Sequence, residues 1–354
     1  MNRPRPLVVA GAGLGGLVAA VRARELGARL VVHEKGDRPG GSMRLSGGYV
    51  FRYREWERFR AECPGGDAAL QRLVWERFDD ALAWLRGVGA PVLEEETGNP
   101  LTIGVRLDVE RTTEALAARA GEIRLGEPLT ALPDGVPVVL ATGGFAASRE
   151  LVREHVTPEA EHLALRSNPW SAGDGLRLGL GAGAGLSAGL DEFWGRAMAA
   201  PPAVVEPATF RPLAQFYARH ARVVGERGEE YEARTWSEID VAQWIARRPR
   251  ARAWFHVPDE KLGERVRDRT VRQMVEAARA AGTSDERRDG ETVVEVVAGI
   301  TTTLGGLGID TNARAAEGVY VAGADAGGIS TGGWASGLAT ALVLGLVAAE
   351  SAVR

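Results

Sequence analysis

Apolar positions in this chain recur with two different periods, and the places where one gives way to the other mark its elements. An unbroken apolar run, Leu7 to Ala10, leads into a glycine-dense turn, a helical pattern, and a second apolar run from Leu30 to Val32 that ends at Glu34. That order predicts strand, turn, helix and strand, the opening of a parallel α/β sheet. Leu70, Leu73, Val74, Phe78, Ala81, Leu82 and Leu85 fall at helical spacing with charged residues between them, which predicts an amphipathic helix over 67–87. Thr112 to Ala120 reads as a further helix opened by a threonine cap. Val136 to Ala141 reads as a short buried strand that meets the turn Thr142-Gly143-Gly144. Ser148 is placed to cap a short helix, and 176–183 continues as another.

From 186 to 294 prolines and aromatics cluster, and no βαβ rhythm is visible; a long helix over 259–281 is expected to close this stretch. The α/β texture returns with the run Gly318 to Val321 and an Ala/Leu/Val-rich helix over 334–352. The pattern divides the chain into 1–185, the first part of a nucleotide-binding domain; 186–294, an inserted α+β domain; and 295–354, the second part. At 354 residues there is room for this arrangement.

Composition narrows the function. Apolar residues make up 45% and charged residues 25%, as in ordinary globular proteins, and the net charge of -4 argues against a nucleic-acid partner. Cys63 stands alone, so neither an internal disulfide nor a cysteine metal cluster is expected, and no metal site is assigned. No uncharged apolar stretch reaches 18 residues, so no membrane span is expected. With the first strand starting directly after Met-Asn-Arg-Pro-Arg-Pro, a cytoplasmic location is expected.

The glycine turn carries the chemistry. In Gly11-Ala-Gly13-Leu14-Gly15-Gly16, Gly11 permits the tight turn, Gly13 lets the backbone approach a pyrophosphate, and Gly16 lets the helix pack close to the strand. The helix N-terminus offers N–H groups and partial positive charge to phosphates. Glu34, 23 residues after Gly11, stands where a carboxylate meets a ribose hydroxyl. Five glycines between 36 and 48 make the next segment a loop of close backbone approaches.

Six blocks appear in order: GAGLGGLVAA at 11–20, EKGDRPGGSMRLSGG at 34–48, ATGGF at 141–145, SAGDGLRLGLGAGA at 171–184, TTTLGGLGID at 301–310 and GVYVAGADAGG at 318–328. Together they resemble the flavoprotein family of soluble fumarate reductases, the succinate dehydrogenase flavoprotein subunit and the 3-ketosteroid dehydrogenases. The resemblance implies a Rossmann-like FAD-binding domain of the glutathione-reductase type, an inserted α+β cap domain, and hydride exchange at flavin N5, usually across a carbon–carbon bond activated by a carbonyl or carboxylate. It assigns FAD contacts to Gly11, Gly13, Leu14, Gly15, Gly16, Glu34, Lys35, Gly40, Gly41, Ser42, Ser46, Gly47 and Gly48. In the later blocks it assigns them to Ala141, Thr142, Gly143, Asp174, Gly323, Asp325 (to ribityl hydroxyls), Ser336, Gly337 and Leu338. With no histidine in 34–60, the flavin is expected to be held non-covalently.

The departures bear on the substrate. Where fumarate-reducing members carry a histidine that holds a substrate carboxylate, this chain has Thr301 and Thr302. Where they carry an arginine in the turn before the last helix, Trp334 is nearest. Glu238 aligns with their proton-donating arginine, four residues after Arg234. These changes argue against a small dicarboxylate and for a less charged organic substrate.

Glu238, Arg234, Ser330, Thr302 and Trp334 are the catalytic candidates. The plainer readings, which outweigh these roles, are a surface acid beside Asp240 for Glu238 and an ordinary solvated arginine for Arg234. Tyr49, Tyr217 and Tyr231 are available for proton work without a matching motif. A separate electron donor or acceptor is expected, since no haem motif or second nucleotide fingerprint is present, and a homo-oligomer or partner subunit is left open. The alternatives are a flavin oxidase or monooxygenase, and an FAD-binding protein without catalysis.

Overall fold

The computed structural model describes residues 6–233 and 239–354. Two compact units are formed: Met1–Ala147, Asn168–Leu190 and Thr303–Arg354 make the first, and Ser148–Ser167 with Asp191–Thr302 make the second.

The first unit is built on a six-stranded sheet ordered Arg314–Ala316, Val319–Val321, Val138–Leu140, Pro6–Ala10, Arg29–Glu34 and Glu122–Leu125. Val8 pairs with Val31 on one side and Val138 on the other, both in parallel register, and Val319 pairs in parallel with Val138. Only the edge pair 314–316 and 319–321 is antiparallel. Strands buried on both faces must be apolar throughout, which is why they read as short runs rather than alternations. A three-stranded antiparallel sheet of Tyr49–Tyr53, Thr102–Leu107 and Val92–Glu94 belongs to the same unit.

Helix Leu14–Glu25 follows the first glycine turn and packs against the last helix, Gly337–Ala352. Both are buried along most of their length, so neither shows an amphipathic pattern. The contact is tight at one place. A Cβ on Gly345 would lie 2.7 Å from the Gly15 carbonyl oxygen and 2.9 Å from Val18. The amphipathic helix predicted over 67–87 forms as Ala68–Gly87. Asp67 caps it by accepting from the Ala69 and Leu70 N–H groups at 2.8 and 2.9 Å, and Leu70, Val74, Phe78, Ala81 and Leu85 are buried.

The second unit centres on the long strand Glu291–Thr303. Arg252–Pro258 and Asp285–Arg288 pair antiparallel to it, Phe193–Ala199 and Ala164–Leu165 pair with it further along, and Arg222–Val224 extends the sheet from Arg252–Pro258. The sequence places Ser148–Ser167 and residues 295–302 with the nucleotide fold; in the structure both lie in the second unit. The reason is pairing at a distance. Ala164 and Leu165 lie beside Gly299 and Ile300, and the Thr157 hydroxyl donates to the Ala246 carbonyl at 2.7 Å.

The helix expected over 259–281 is corrected to three pieces: a 3-10 turn Asp259–Lys261, a hairpin of Arg265–Val266 with Arg269–Thr270, and a helix Val271–Ala280. Thr270 starts that helix with a capping box, its Oγ1 accepting from Gln273 N while Gln273 Oε1 accepts from Thr270 N. The helix expected from Thr112 begins at Val109, capped by Asp108 rather than by the threonine. The last helix begins at Gly337 rather than Trp334, because Ser336 supplies the cap.

Gly345→Val is expected to lower the thermal midpoint of the purified protein, because the added side chain has no space between the first and last helices; overpacking of this kind costs about 1–3 kcal/mol. An unchanged midpoint in a melting scan would contradict the close helix contact.

Candidate functional site

Two kinds of glycine meet in the first turn. Gly11 has φ +101°, and a Cβ there would lie 2.2 Å from the Ala141 carbonyl oxygen; one on Gly16 would lie 1.9 Å from the Gly11 carbonyl oxygen. The chain's own packing therefore requires both. Gly13 differs. Its φ of -73° suits any residue, and nothing lies within 4 Å of where its Cβ would stand. Neither backbone conformation nor protein packing explains a glycine at that position; a ligand in the open space in front of it does. Gly13 is also the N-cap of helix Leu14–Glu25 and provides no side-chain acceptor for the first-turn N–H groups, which suits an anionic group at that helix end.

The loop after the second strand folds back onto this turn. Gly40 N–H donates to the Ala12 carbonyl at 2.7 Å, and a Cβ on Gly41 would lie 3.1 Å from the Gly13 Cα. Both glycines have positive φ. Glu34, buried at the end of Arg29–Glu34, accepts from Ala12 N–H at 2.6 Å and from Gly36 N–H at 2.7 Å. Its carboxylate thus pins the glycine turn to the end of the second strand. Lys35 Nζ meets Asp174 Oδ2 at 2.8 Å, which brings together two residues 139 apart in sequence. Ser42 lies in the 3-10 helix Gly41–Leu45. The Ser46 hydroxyl donates to the Met43 carbonyl and accepts from Gly48 N–H, so it shapes the loop around Gly47 and Gly48.

A third segment crosses the strand ends. Ala141 N–H continues the pairing to Ala10 O at 2.8 Å, and the chain then turns through Thr142, Gly143 and Gly144. Asp325 holds that turn. Its carboxylate accepts from Thr142 N–H at 2.5 Å, from the Thr142 hydroxyl at 3.0 Å and from Gly144 N–H at 2.8 Å. Asp325, expected at ribityl hydroxyls, is 1% exposed and directs its carboxylate at the protein's own backbone. Burial pushes its carboxyl up from the ordinary aspartate value, while the bonds from Gly144 and Thr142 oppose that shift. Gly323, two residues earlier, has φ +68°. The Thr142 hydroxyl oxygen also accepts from Gly175 N–H at 2.9 Å.

Ser330, Trp334, Ser336, Gly337 and Leu338 lie together in the turn that opens the last helix. The Trp334 carbonyl accepts from the Tyr53 hydroxyl at 2.7 Å, and the Ile329 carbonyl accepts from Gln71 Nε2 at 2.7 Å. Burial pushes the Tyr53 hydroxyl up, so its proton stays in place for that bond. Ser330 Oγ accepts from Ala335 N–H at 3.4 Å, and Ser336 Oγ accepts from Ala339 N–H at 3.2 Å. Thr302 belongs to the second unit. Arg234 and Glu238 lie outside the described residues. Of the three tyrosines, Tyr217 is buried in the second unit with its hydroxyl pushed up by burial. Tyr231 donates to Asp240 at 2.6 Å, and Tyr49 lies under the Arg106 guanidinium.

The FAD binding domain family matches residues 7–131 and 134–337. The chain belongs to this family. FAD is accordingly its cofactor. Its fold is similar to that of a flavocytochrome c3 fumarate reductase in an open conformation, at 19% identity and a TM-score of 0.72, covering 99% of this chain and 78% of the other. It is also similar to 3-ketosteroid-delta4-(5alpha)-dehydrogenase from Rhodococcus jostii RHA1, at 18% identity and a TM-score of 0.70 over 100% of both chains. A third similar structure is Mycobacterium smegmatis Sdh1, at 21% identity and a TM-score of 0.67, covering 99% of this chain and 68% of the other. Among curated proteins none matches the chain.

The residues present fit FAD. The open space at Gly13 and the uncapped helix end suit its pyrophosphate. A further pointer is Ser171, buried with its hydroxyl unpartnered, beside Gly143. Sequence reading missed Ser171, and also Trp170, whose ring lies 3.0 Å from where a Gly36 Cβ would be. The dense turn Asn168-Pro-Trp-Ser was its one visible signal. It also missed Tyr53 and Gln71, whose partners lie 281 and 258 residues away.

Two substitutions separate the two kinds of glycine. Gly13→Ala is expected to leave the melting of the FAD-free protein within about 1 kcal/mol of wild type while reducing FAD retention on gel filtration. Gly16→Ala is expected to destabilise the FAD-free protein itself. The opposite pattern would remove Gly13 from the cradle. Asp325→Ala leaves the Thr142 and Gly144 N–H groups without their acceptor, and each buried orphan costs about 1–3 kcal/mol. Denaturant unfolding should show that loss, with Asp325→Asn, which keeps one acceptor oxygen, falling between.

Proposed function

We propose that the protein binds FAD non-covalently and exchanges a hydride between flavin N5 and a small organic substrate. The substrate bond is a carbon–carbon bond activated by a carbonyl, undergoing dehydrogenation or ene reduction. Bound FAD supplies the hydride acceptor and donor; the chain supplies orientation, exclusion of water and a proton route. The reading rests on one observation: the positions corresponding to substrate-carboxylate binders in fumarate-reducing relatives are Thr301, Thr302 and Trp334, none of them charged. A small dicarboxylate has two charges to satisfy, and unpaired anionic groups in a dry site are costly.

In this reading Ser330 and Trp334 form a surface for substrate or flavin, held by the Tyr53 and Gln71 bonds to the same turn. The dipole of helix Gly337–Ala352 favours negative charge at the flavin N1/O2 edge. Thr302 is a candidate contact, and Glu238 and Arg234 are the candidates for proton transfer and for clamping a substrate oxygen. The absence of any histidine over 34–60 supports a non-covalent flavin. A separate protein or small molecule carries electrons to or from it, and the reaction takes place in the cytoplasm. Among the described residues no helix is long and apolar enough to cross a membrane.

The test is anaerobic. The purified yellow protein is mixed with cyclic ketones, with the matching enones after photoreduction, and with succinate or fumarate. Bleaching by a ketone, or reoxidation by an enone, with no response to the dicarboxylates is the expected result; turnover of succinate or fumarate would overturn the substrate reading. Reduced protein that reoxidises rapidly in air would instead favour the oxidase alternative.

A further inference from the structure

The turn Asn168-Pro-Trp170-Ser171 belongs to the first unit and reaches the glycine-bearing segments described above. Asn168 Nδ2 and Gly13 Cα lie 3.8 and 3.1 Å from one point, the place of a Cβ on Gly41. Trp170 Cε3 and Glu34 Oε1 lie 3.0 and 3.1 Å from another, the place of a Cβ on Gly36. Ser171 Oγ lies 2.8 Å from where a Gly143 Cβ would stand. Backbone bonds anchor the segment there: Ala147 N–H donates to the Ser171 carbonyl and Gly173 N–H to the Gly144 carbonyl, both at 2.9 Å.

The Asn168 amide has one orientation open to it. Trp170 N–H lies 2.8 Å from one end of that amide, and a donor there requires the oxygen. The NH2 group is therefore the end beside Gly41 and Gly13. Asn168 is 8% exposed, and among the described residues its NH2 group has no acceptor. Enclosing an amide to that degree with its N–H donors idle is costly unless something else accepts from them. The Ser171 hydroxyl, 1% exposed, is likewise without a partner, so two polar side chains of one short turn are left for a ligand.

Trp170 is idle in the same sense. Trp56, Trp75, Trp84, Trp244 and Trp254 each engage the ring or the indole N–H with another ring, a guanidinium, a carbonyl or a carboxylate. Among the described residues the Trp170 indole has none of these; it is half-buried, with its six-membered edge against Gly36. The chemistry on either side says what it waits for. An acid that ends the second strand of such a fold stands at the adenosine ribose, so an indole beside Glu34 has adenosine for its neighbour. A glycine-opened helix end such as that at Gly13 meets the diphosphate.

We propose that Asn168 and Trp170 clamp the adenosine diphosphate half of FAD, the Asn168 NH2 group donating to a diphosphate oxygen and the Trp170 indole lying against the adenosine. The donor is neutral; Lys35, the nearby cation, is taken up by Asp174. The proposal rests on FAD as the cofactor and is independent of the substrate reading above. All the residues it uses lie in the first unit.

The test is equilibrium dialysis of the purified holoenzyme, reading the FAD that stays bound together with the visible spectrum of the bound flavin. Asn168→Ala loses the donor and the acceptor for Trp170 N–H together. Asn168→Asp keeps that acceptor but turns a carboxylate towards the diphosphate in place of the donor. Alanine should weaken FAD at least about tenfold, and aspartate should weaken it further. An asparagine that only shapes the turn gives the reverse order, because aspartate preserves the turn; aspartate binding FAD as tightly as alanine or more tightly would overturn the donor role. Should Asn168→Ala fold poorly, Asn168→Asp against wild type carries the test, and equal affinity overturns it. Trp170→Leu should weaken FAD about tenfold, with Trp170→Phe, which keeps a ring, falling between; a leucine variant equal to wild type would remove the indole from the site. In every variant the bands of the flavin still bound should match wild type, since the altered contacts lie at the adenosine end. Shifted bands would place the segment at the isoalloxazine ring and overturn the adenosine assignment.

Discussion

A single buried carboxylate ties together segments of the nucleotide fold that lie far apart in sequence. Asp325 comes from the last segment of the chain, and the groups it accepts from, Thr142 and Gly144, come from a segment 181–183 residues earlier. Enclosing a carboxylate in protein is unfavourable unless donors replace its water. Here two backbone N–H groups and a hydroxyl do so. The same threonine hydroxyl accepts from Gly175, the neighbouring Asp174 meets Lys35, and the adjacent Glu34 accepts from Ala12 in the first glycine turn. A path of polar contacts, continued along the chain between neighbours, therefore links five separate segments. Each contact lies beside the strand ends where a dinucleotide binds in such folds.

That path shows how an acid placed at the end of a strand can shape a nucleotide site by holding the protein's own backbone. Glu34 and Asp325 both fix the backbone of glycine turns, and the turns in turn present N–H groups and open space. A carboxylate that accepts two or three backbone donors is rigid, and rigidity in the supporting layer is what keeps a cradle shaped for its ligand. The turn before the last helix follows the same logic with neutral groups, Tyr53 and Gln71 holding the Trp334 and Ile329 carbonyls from the other side of the unit.

How much of this was legible in the sequence follows the range of the forces involved. The glycine turn, the first and last helices, the 68–87 helix and the apolar strands are set by local sterics and periodicity, so their residues reveal them. The boundaries moved where a cap decided them: Asp108, Ser336 and Thr270 each override the point at which the helical pattern begins. The 3-10 turn at 259–261 and the hairpin at 265–270 read as helix because their charged residues fit a helix surface equally well; the left-handed Arg267 that turns the chain leaves no compositional mark. Ser148–Ser167 was read with the wrong unit because its pairing partner is Gly299–Ile300, which no local pattern announces.

The site divides in the same way. Glycines that the chain itself requires and a glycine that only a ligand requires look identical in sequence; Gly16 and Gly13 differ only once the surroundings are known. Charge is subtler still, because a list of arginines does not say which are neutralised. In the second unit, Arg222, Arg248 and Arg252 reach acids at sequence separations of 8, 19 and 43, while Arg166 reaches a threonine hydroxyl and a carbonyl. The sequence argument for a less charged substrate rested on cationic side chains missing from particular positions. A cation delivered from a different element escapes such an argument, since electrostatics depends on where charges gather in space and not on which position in a motif supplies them.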